Sequence, residues 1–248
     1  MGGLSGKVAV VTGGGTGIGR ASALLLAQEG ANVVVNYSRS EKEAYETVAE
    51  LGKLGVKGKA VRADVSNREQ AEQLIAEAHK AFGRIDVLVN SAGRTRFIPY
   101  PQLDDLTDEV WGEIMQLNLM GAFYTSRAAA RHMLDQGDGA IVNIASIAGL
   151  GTNASSIPYA VSKGAMITLT KTMARALAPK VRVNAISPGV VETRWVGDNE
   201  EFKAQGRAAT PLGRNAQAED VARAVRYFAV EATFVTGQIH IVDGGRVI

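Results

Sequence analysis

The chain has 248 residues, 46% of them hydrophobic and 21% charged, with 28 glycines, three histidines, no cysteine and a formal charge of +2. Disulfides, thiol nucleophiles and thiolate metal sites are thereby excluded, and His79, His132 and His240 stand too far apart in sequence to suggest a histidine metal centre. Lys and Arg are interleaved with Asp and Glu and no apolar run reaches membrane-span length, so a cytoplasmic protein without nucleic-acid or membrane partners is expected.

The first element is the apolar run Val8 to Val11, as expected of a parallel strand buried on both faces. It leads into TGGGTGIG, Thr12 to Gly19, and then into a helix, Arg20 to Gln28. Strand, glycine turn and helix in this order aim the unpaired N–H groups of a helix N-terminus at a phosphate, and glycine lets backbone approach a ligand closely. The spacing is not G-x-G-x-x-G in any register, so a merely tight turn would also account for this stretch alone.

Asn32 to Asn36 is the second strand, which makes a right-handed β-α-β unit. Dinucleotide-binding folds that take NAD place a carboxylate near the end of this strand. Here the chain has Tyr37, Ser38, Arg39 and Ser40. A guanidinium and two hydroxyls suit a 2′-phosphate, so NADP(H) is favoured and NAD(H) is the alternative, with Arg39 as a solvated loop residue in that case.

A helix from about Glu41 to Leu51 precedes the third strand, Lys59 to Ala63, which ends at Asp64-Val65. Asp64 could accept a hydrogen bond from an adenine amino group, cap the helix that begins near Asn67, or do both. After that helix, Ala71 to Phe82, the fourth strand Ile85 to Val89 runs into the small-residue turn Asn90-Ser91-Ala92-Gly93. Ligands of doubly wound sheets bind beyond strand carboxyl ends at the point where the strand order reverses. The following loop, Arg94 to about Thr107, carries aromatics, prolines and acids that could shape a substrate rim.

A helix from Asp108 to about Met133 carries Asn118 in a mostly apolar stretch, where a buried amide needs a partner. The fifth strand, Ala140 to Ala145, presents Ser146 at its carboxyl end. In the Ala-rich helix Pro158 to Ala178, Tyr159 and Lys163 share a face at i and i+4. The sixth strand, Val181 to Ile186, ends in Ser187-Pro188-Gly189, and Val190 to about Arg214 reads as polar and irregular with isolated Trp195 and Phe202. A helix from Ala218 to about Val230 and a strand from Gln238 to Val242 complete the alternation, with no linker or repeat.

Ser146, Tyr159, Lys163 and Asn118 suit one chemistry. Moving a hydride to or from a carbonyl carbon needs a proton donor or acceptor at the oxygen, and a phenol can serve when a nearby ammonium favours phenolate. With the TGxxxGIG turn, Asp64, the Asn90 to Gly93 turn, Pro188-Gly189 with Thr193 after it, and the closing TGQ…VDGG segment (Thr236 to Gly245), the chain resembles the short-chain dehydrogenase/reductase family over its whole length. The resemblance implies an α/β, Rossmann-type, doubly wound seven-stranded parallel sheet with helices on both faces. It also implies one domain, residues 1–248, with a cofactor half over about 1–140 and catalytic and substrate elements over about 141–248.

By the same resemblance, Tyr159 is the general acid/base, Lys163 binds the nicotinamide ribose and lowers the tyrosine pKa, Ser146 hydrogen-bonds the substrate oxygen, and Asn118 holds a helix irregularity and a water leading from Lys163 to solvent. The cofactor-binding candidates are Gly13, Gly15, Thr16, Gly17, Ile18 and Gly19 in the turn and Tyr37, Ser38, Arg39 and Ser40 after the second strand. Further candidates are Asp64 and Val65, then Asn90, Ala92 and Gly93, Tyr159 and Lys163, and finally Pro188, Gly189, Val191 and Thr193. Ser91 departs from the family, which usually has a second asparagine there.

Within the family the chain is similar to the 3-oxoacyl-(acyl-carrier-protein) reductase group, which implies Arg131 and Arg175 as basic residues facing an acyl carrier protein. Ala128, Ala129, Ala160, Gly164 and Ala165 would permit close helix approach between subunits, or equally suit a packed core; the resemblance implies a homotetramer, with a dimer as the alternative. The leading expectation is an NADP(H)-dependent oxidoreductase acting on a ketone or secondary alcohol, including 3-oxoacyl thioesters. The alternatives are an NAD(H)-dependent sugar, steroid or cyclic-alcohol dehydrogenase and, from another class, a nucleotide-sensing protein without turnover.

Overall fold

Val8–Thr12 forms β1, buried along its whole length in the computed structural model, which describes residues 3–197 and 199–248. The other strands are β2 (Asn32–Tyr37), β3 (Gly58–Arg62), β4 (Val87–Asn90), β5 (Gly139–Ile144), β6 (Val181–Pro188) and β7 (Ile239–Val242). Every neighbouring pair is parallel, and the order is β3-β2-β1-β4-β5-β6-β7. The chain winds outward from β1 to β3 and returns beside β1 to place β4. That reversal opens a crevice above the carboxyl ends of β1 and β4.

Alternation along the strands sends side chains to two layers. Ala9, Val11, Val33 and Val35 join Ala23 and Leu26 of α1 (Gly17–Gln28), Leu51 of α2 (Glu41–Lys53) and Val221 and Val225 of α8 (Ala218–Arg226). Val10, Val34, Leu88 and Ile141 join Leu74 and Ile75 of α3 (Arg68–Phe82), Met133 of α5 (Ala122–Gln136) and Met173 of α6 (Ile157–Leu177) on the other face. Each fully buried aliphatic side chain contributes about 1.5–3 kcal/mol, which makes both faces of the sheet strongly specified.

Three segments differ from the sequence expectation. The helix expected from Asp108 to about Met133 is α4 (Asp108–Met115) and α5 joined by a π-helical turn, Gln116–Gly121, with Asn118 inside it. Within the stretch read as irregular, Glu200–Ala208 forms α7, capped by Asn199, whose side chain accepts from the Phe202 amide. Its apolar positions are too few to announce a helix, and tertiary contacts carry it: the Asn215 amide donates to Glu192 at 3.1 Å and to the Lys203 carbonyl at 2.9 Å. Finally, Ala128 and Ala129 point into the core at 7% and 0% exposure, so they are not the open small-residue surface that a helix–helix contact between subunits would use.

Candidate active site

The crevice is a cavity of about 1160 Å³ running from the end of β2, over the glycine turn, to the N-terminal part of α6 and the segment after β6. The turn is wedged into place from three sides. A Cβ at Gly13 would lie 3.2 Å from the Ala92 Cα, at Gly15 3.0 Å from the Ala44 nitrogen, and at Gly17 3.3 Å from the Thr193 Cγ2. Thr12 Oγ1 accepts from the amides of Ser91 and Ala92, both at 3.0 Å, which ties the β1 turn to the β4 turn. Asn36 holds the other side: its Oδ1 accepts from the Gly13 amide at 3.3 Å and its Nδ2 donates to the Ala63 carbonyl at 2.9 Å.

The N-terminus of α1 has no side-chain cap and no acid in its first turn. Its amides are thus left for an external anion, and Gly13, Gly15, Thr16, Gly17 and Ile18 all line the cavity there. Ser38, Arg39 and Ser40 form the wall beyond β2, and Arg39 has no hydrogen bond or ion pair among the described residues. Asp64 and Val65 line the same end; Asp64 accepts from the Ser66 amide and hydroxyl, while the cap of α3 is Asn67, accepting from the Gln70 amide. Asp64 is therefore a wall residue and not the helix cap. A glycine cradle, an uncapped helix N-terminus and a free guanidinium fit a phosphorylated dinucleotide.

Ser146, Tyr159 and Lys163 meet at the other end of the cavity. Ser146 follows β5 and opens a short 3-10 turn, Ile147–Leu150, its Oγ accepting from the Ala148 amide at 3.2 Å. That turn can lie flat on α6 because residue 149 is glycine: a Cβ there would fall 2.6 Å from the Lys163 carbonyl carbon. Burial pushes the Tyr159 phenol up to about 12, with a Ser146 hydrogen bond acting in the opposite direction. Burial also brings the Lys163 ammonium down to about 8, and its Nζ donates to the Ile144 carbonyl at 2.8 Å.

The expected lowering of the Tyr159 pKa by Lys163 is thus not a feature of this arrangement. The ammonium stands 5.7 Å from the phenol ring centre, and desolvation dominates.

Three of the expected site residues lie behind the cavity wall. Asn118 is fully buried, and its amide clamps the backbone of Arg94 on both sides, accepting from the nitrogen at 2.8 Å and donating to the carbonyl at 3.0 Å. Its remaining donor goes to Ser162 Oγ at 3.0 Å. Asn90 turns inward to Ser126, Asn143 and Thr125, all within 2.8 Å, leaving no side-chain donor or acceptor for an adenosine. Gly19 is there for packing: a Cβ would sit 2.3 Å from the Gly13 carbonyl oxygen, so the helix can approach its own entry turn only without one. Ala92, Gly93, Pro188, Gly189, Val191 and Thr193 line the cavity as expected, as does Tyr37.

Other walls were only partly legible. Phe97, from the loop after β4, meets Phe202 of α7 edge-on at 5.7 Å, and Trp195 leans on Tyr159 with ring centres 5.9 Å apart. These aromatics sit in the two irregular segments, where spacing carries no signal about which residues will meet. Arg246, three residues from the C-terminus, also lines the cavity, and nothing in the sequence marked it.

The sequence pattern of a family described as enoyl-(acyl carrier protein) reductase matches residues 13–246. The chain belongs to the short-chain dehydrogenase/reductase family. This short-chain dehydrogenase/reductase is 46% identical to a protein named as ketoacyl reductase 2 of the granaticin polyketide synthase of Streptomyces violaceoruber, over 96% of this chain and 95% of that one. It is 41% identical to a 3-oxoacyl-[acyl-carrier-protein] reductase of Synechocystis, over 99% and 98%. Among solved structures it is similar to an NADPH-dependent 3-quinuclidinone reductase of Rhodotorula rubra, with a TM-score of 0.92, 32% identity, and coverage of 98% of this chain and 92% of that one. The chain is an oxidoreductase of the carbonyl/alcohol pair that works with a nicotinamide cofactor.

Proposed function

We propose that this enzyme reduces 3-oxoacyl thioesters with NADPH, taking them from an acyl carrier protein in the cytoplasm. The observation that carries the reading is the pairing, in one cavity, of a protonated phenol at Tyr159 with an unpartnered guanidinium at Arg39. A phenol held at about 12 is a proton donor throughout the neutral range, which suits reduction of a ketone. Arg39 stands with Ser38 and Ser40 where a 2′-phosphate would be met, and no carboxylate of β2 opposes it. The relatives named as ketoacyl and 3-oxoacyl-[acyl-carrier-protein] reductases support the substrate class.

Gly13, Gly15, Gly17 and Ile18 would hold the pyrophosphate, Asp64 and Val65 the adenine end, and Lys163, Gly189, Val191 and Thr193 the nicotinamide riboside. A bound nicotinamide would supply the hydride that the carbonyl carbon takes up. Tyr159 gives its phenolic proton to the carbonyl oxygen, and Ser146 donates a hydrogen bond to the same oxygen as negative charge builds on it. Lys163, held by the Ile144 carbonyl on one side, would be fixed in place to bind the nicotinamide ribose. Asn118 positions the Arg94 backbone and, through Ser162, the first turns of α6.

Arg131 on α5 and Arg175 on α6 are both exposed, as a carrier-protein contact requires, and the reading includes a homotetramer built on α6, where Ala160 and Ala165 are partly open. The test is oxidation of NADPH and of NADH, followed by absorbance, with an acetoacetyl thioester of acyl carrier protein and of a short thiol. NADPH oxidation with both thioesters, faster on the carrier, is the expected result. Preference for NADH, or inertness toward both thioesters with a ketone of another class reduced, overturns it.

A further inference from the structure

We infer that Arg246 is an anion-recognising subsite of the substrate cavity, which reads a carboxylate or phosphate carried by the ketone substrate. The inference rests on the proposed ketone reduction and names the charge of the substrate.

Arg182 and Arg84 spend their inner donors. Arg182 gives Nη1 to the carbonyls of Phe228 and Ala232 at 2.7 and 2.8 Å, and Arg84 binds Asp86 in a two-pronged contact. Arg246 differs. No acceptor among the described residues engages it, and its Nη1 is shut off from solvent without a partner. A desolvated guanidinium nitrogen with no acceptor is unfavourable, so something has to hold it there.

The turn after β7 does so. The Asp243 carboxylate accepts from the amides of Gly245 and Val247, both at 2.9 Å, and thereby brackets residue 246. The one acid in this turn is thus committed to backbone and does not neutralise the arginine.

Arg246 lines the same cavity as Gly189, Val190, Phe202 and Gln205, and its turn packs on the segment after β6, where a Cβ at Gly189 would lie 3.1 Å from the Asp243 Cα. Asp64, at the β2–β3 end, is the only acid among the cavity's described lining residues, so nothing in the wall repels an anion near Arg246. Two other arginines of the cavity wall are occupied: Arg94 by Glu113 at 2.9 Å and Arg194, toward the Arg39 end, by Glu43 at 3.0 Å. Arg246 is therefore the guanidinium beside the segment after β6 with its hydrogen-bonding capacity unspent. A planar fork of this kind is matched to carboxylate and phosphate oxygens.

The test compares wild type with R246M and R246K on three 3-oxo substrates. One is a neutral short-thiol thioester, one is a half-ester with a free carboxylate at the far end of the chain, and one is acetoacetyl-CoA, which carries its phosphates on the thiol arm. The expected result in R246M is a fall of roughly 10- to 100-fold in the ratio of kcat/KM for an anionic substrate to that for the neutral one, with the loss in KM and partial recovery in R246K. A fall confined to the half-ester assigns the anion to the ketone chain; one confined to the CoA thioester assigns it to the thiol arm.

Binding of a matched dicarboxylate, followed by the fluorescence of Trp195 in the same cavity, must weaken by a similar factor. That measurement stands without turnover, so failure of the ketone-reduction reading is seen separately. An unchanged ratio with unchanged dicarboxylate binding overturns the inference, as does an equal loss on neutral and anionic substrates with fold and assembly unchanged.

Discussion

Lys163 Nζ donates to the carbonyl oxygen of Ile144 at 2.8 Å, so the buried ammonium is anchored to the end of β5 while the Tyr159 ring lies 5.7 Å away. The lysine is 4% exposed, and desolvation holds it at about 8. A charged group kept there for its chemistry weakens the fold. The pKa is below the ordinary lysine value, so the unfolded chain binds more protons between about pH 8 and pH 10.5, and stability rises with pH across that window. Lys163→Met should be more stable than wild type at pH 7, by about 1–3 kcal/mol, with the difference shrinking as pH rises through the window. Urea unfolding at a series of pH values checks this, and turnover should be lost at all of them.

Tyr159→Phe removes the proposed proton donor and leaves the ring in its contact with Trp195. Turnover should fall by roughly 10²- to 10⁴-fold with the midpoint of unfolding close to wild type. Ketone reduction by wild type should not decline between pH 6 and 8 through loss of the phenolic proton, because burial holds that proton to about pH 12. A pH–rate profile under saturating ketone measures the second point.

Arg39→Ala should weaken NADPH binding by roughly 10- to 100-fold and leave NADH binding near its original value. The contrast between the two cofactors, measured by equilibrium titration, separates a 2′-phosphate contact from a general loss of charge.

Asp86 is a test of the fold. Burial pushes its carboxyl up, but hydrogen bonds from Arg84, the Val8 amide and Lys7 outweigh that and hold it below the ordinary aspartate value. The stability it contributes is present above about pH 4 and is lost as pH falls through the lowered folded-state value. Lys7 and Arg84 are 32% and 40% exposed, so water screens part of the interaction. Asp86→Asn should cost about 1–3 kcal/mol at pH 7, and progressively less below pH 4, in denaturant unfolding.

The sequence by itself determined the layered architecture and singled out Ser146, Tyr159 and Lys163, which meet in one cavity. Uninterrupted apolar runs such as Val8 to Val11 have only one stable home, a sheet covered on both faces, and the alternation of strand and helix leaves a parallel, right-handed winding. Tyr159 and Lys163 were legible because helical spacing is local, and Ser146 because it ends a strand. What the tertiary structure alone decided is which polar groups face the cavity and which face the core. Asn90 and Asn118 carry the same amide as any cavity residue, yet both are consumed by internal hydrogen bonds to segments more than twenty residues away. The meeting of Phe97 with Phe202, the rise of the Tyr159 pKa and the unspent guanidinium of Arg246 share that origin. Burial and long-range contact set all three, and neither has a period that a linear sequence displays.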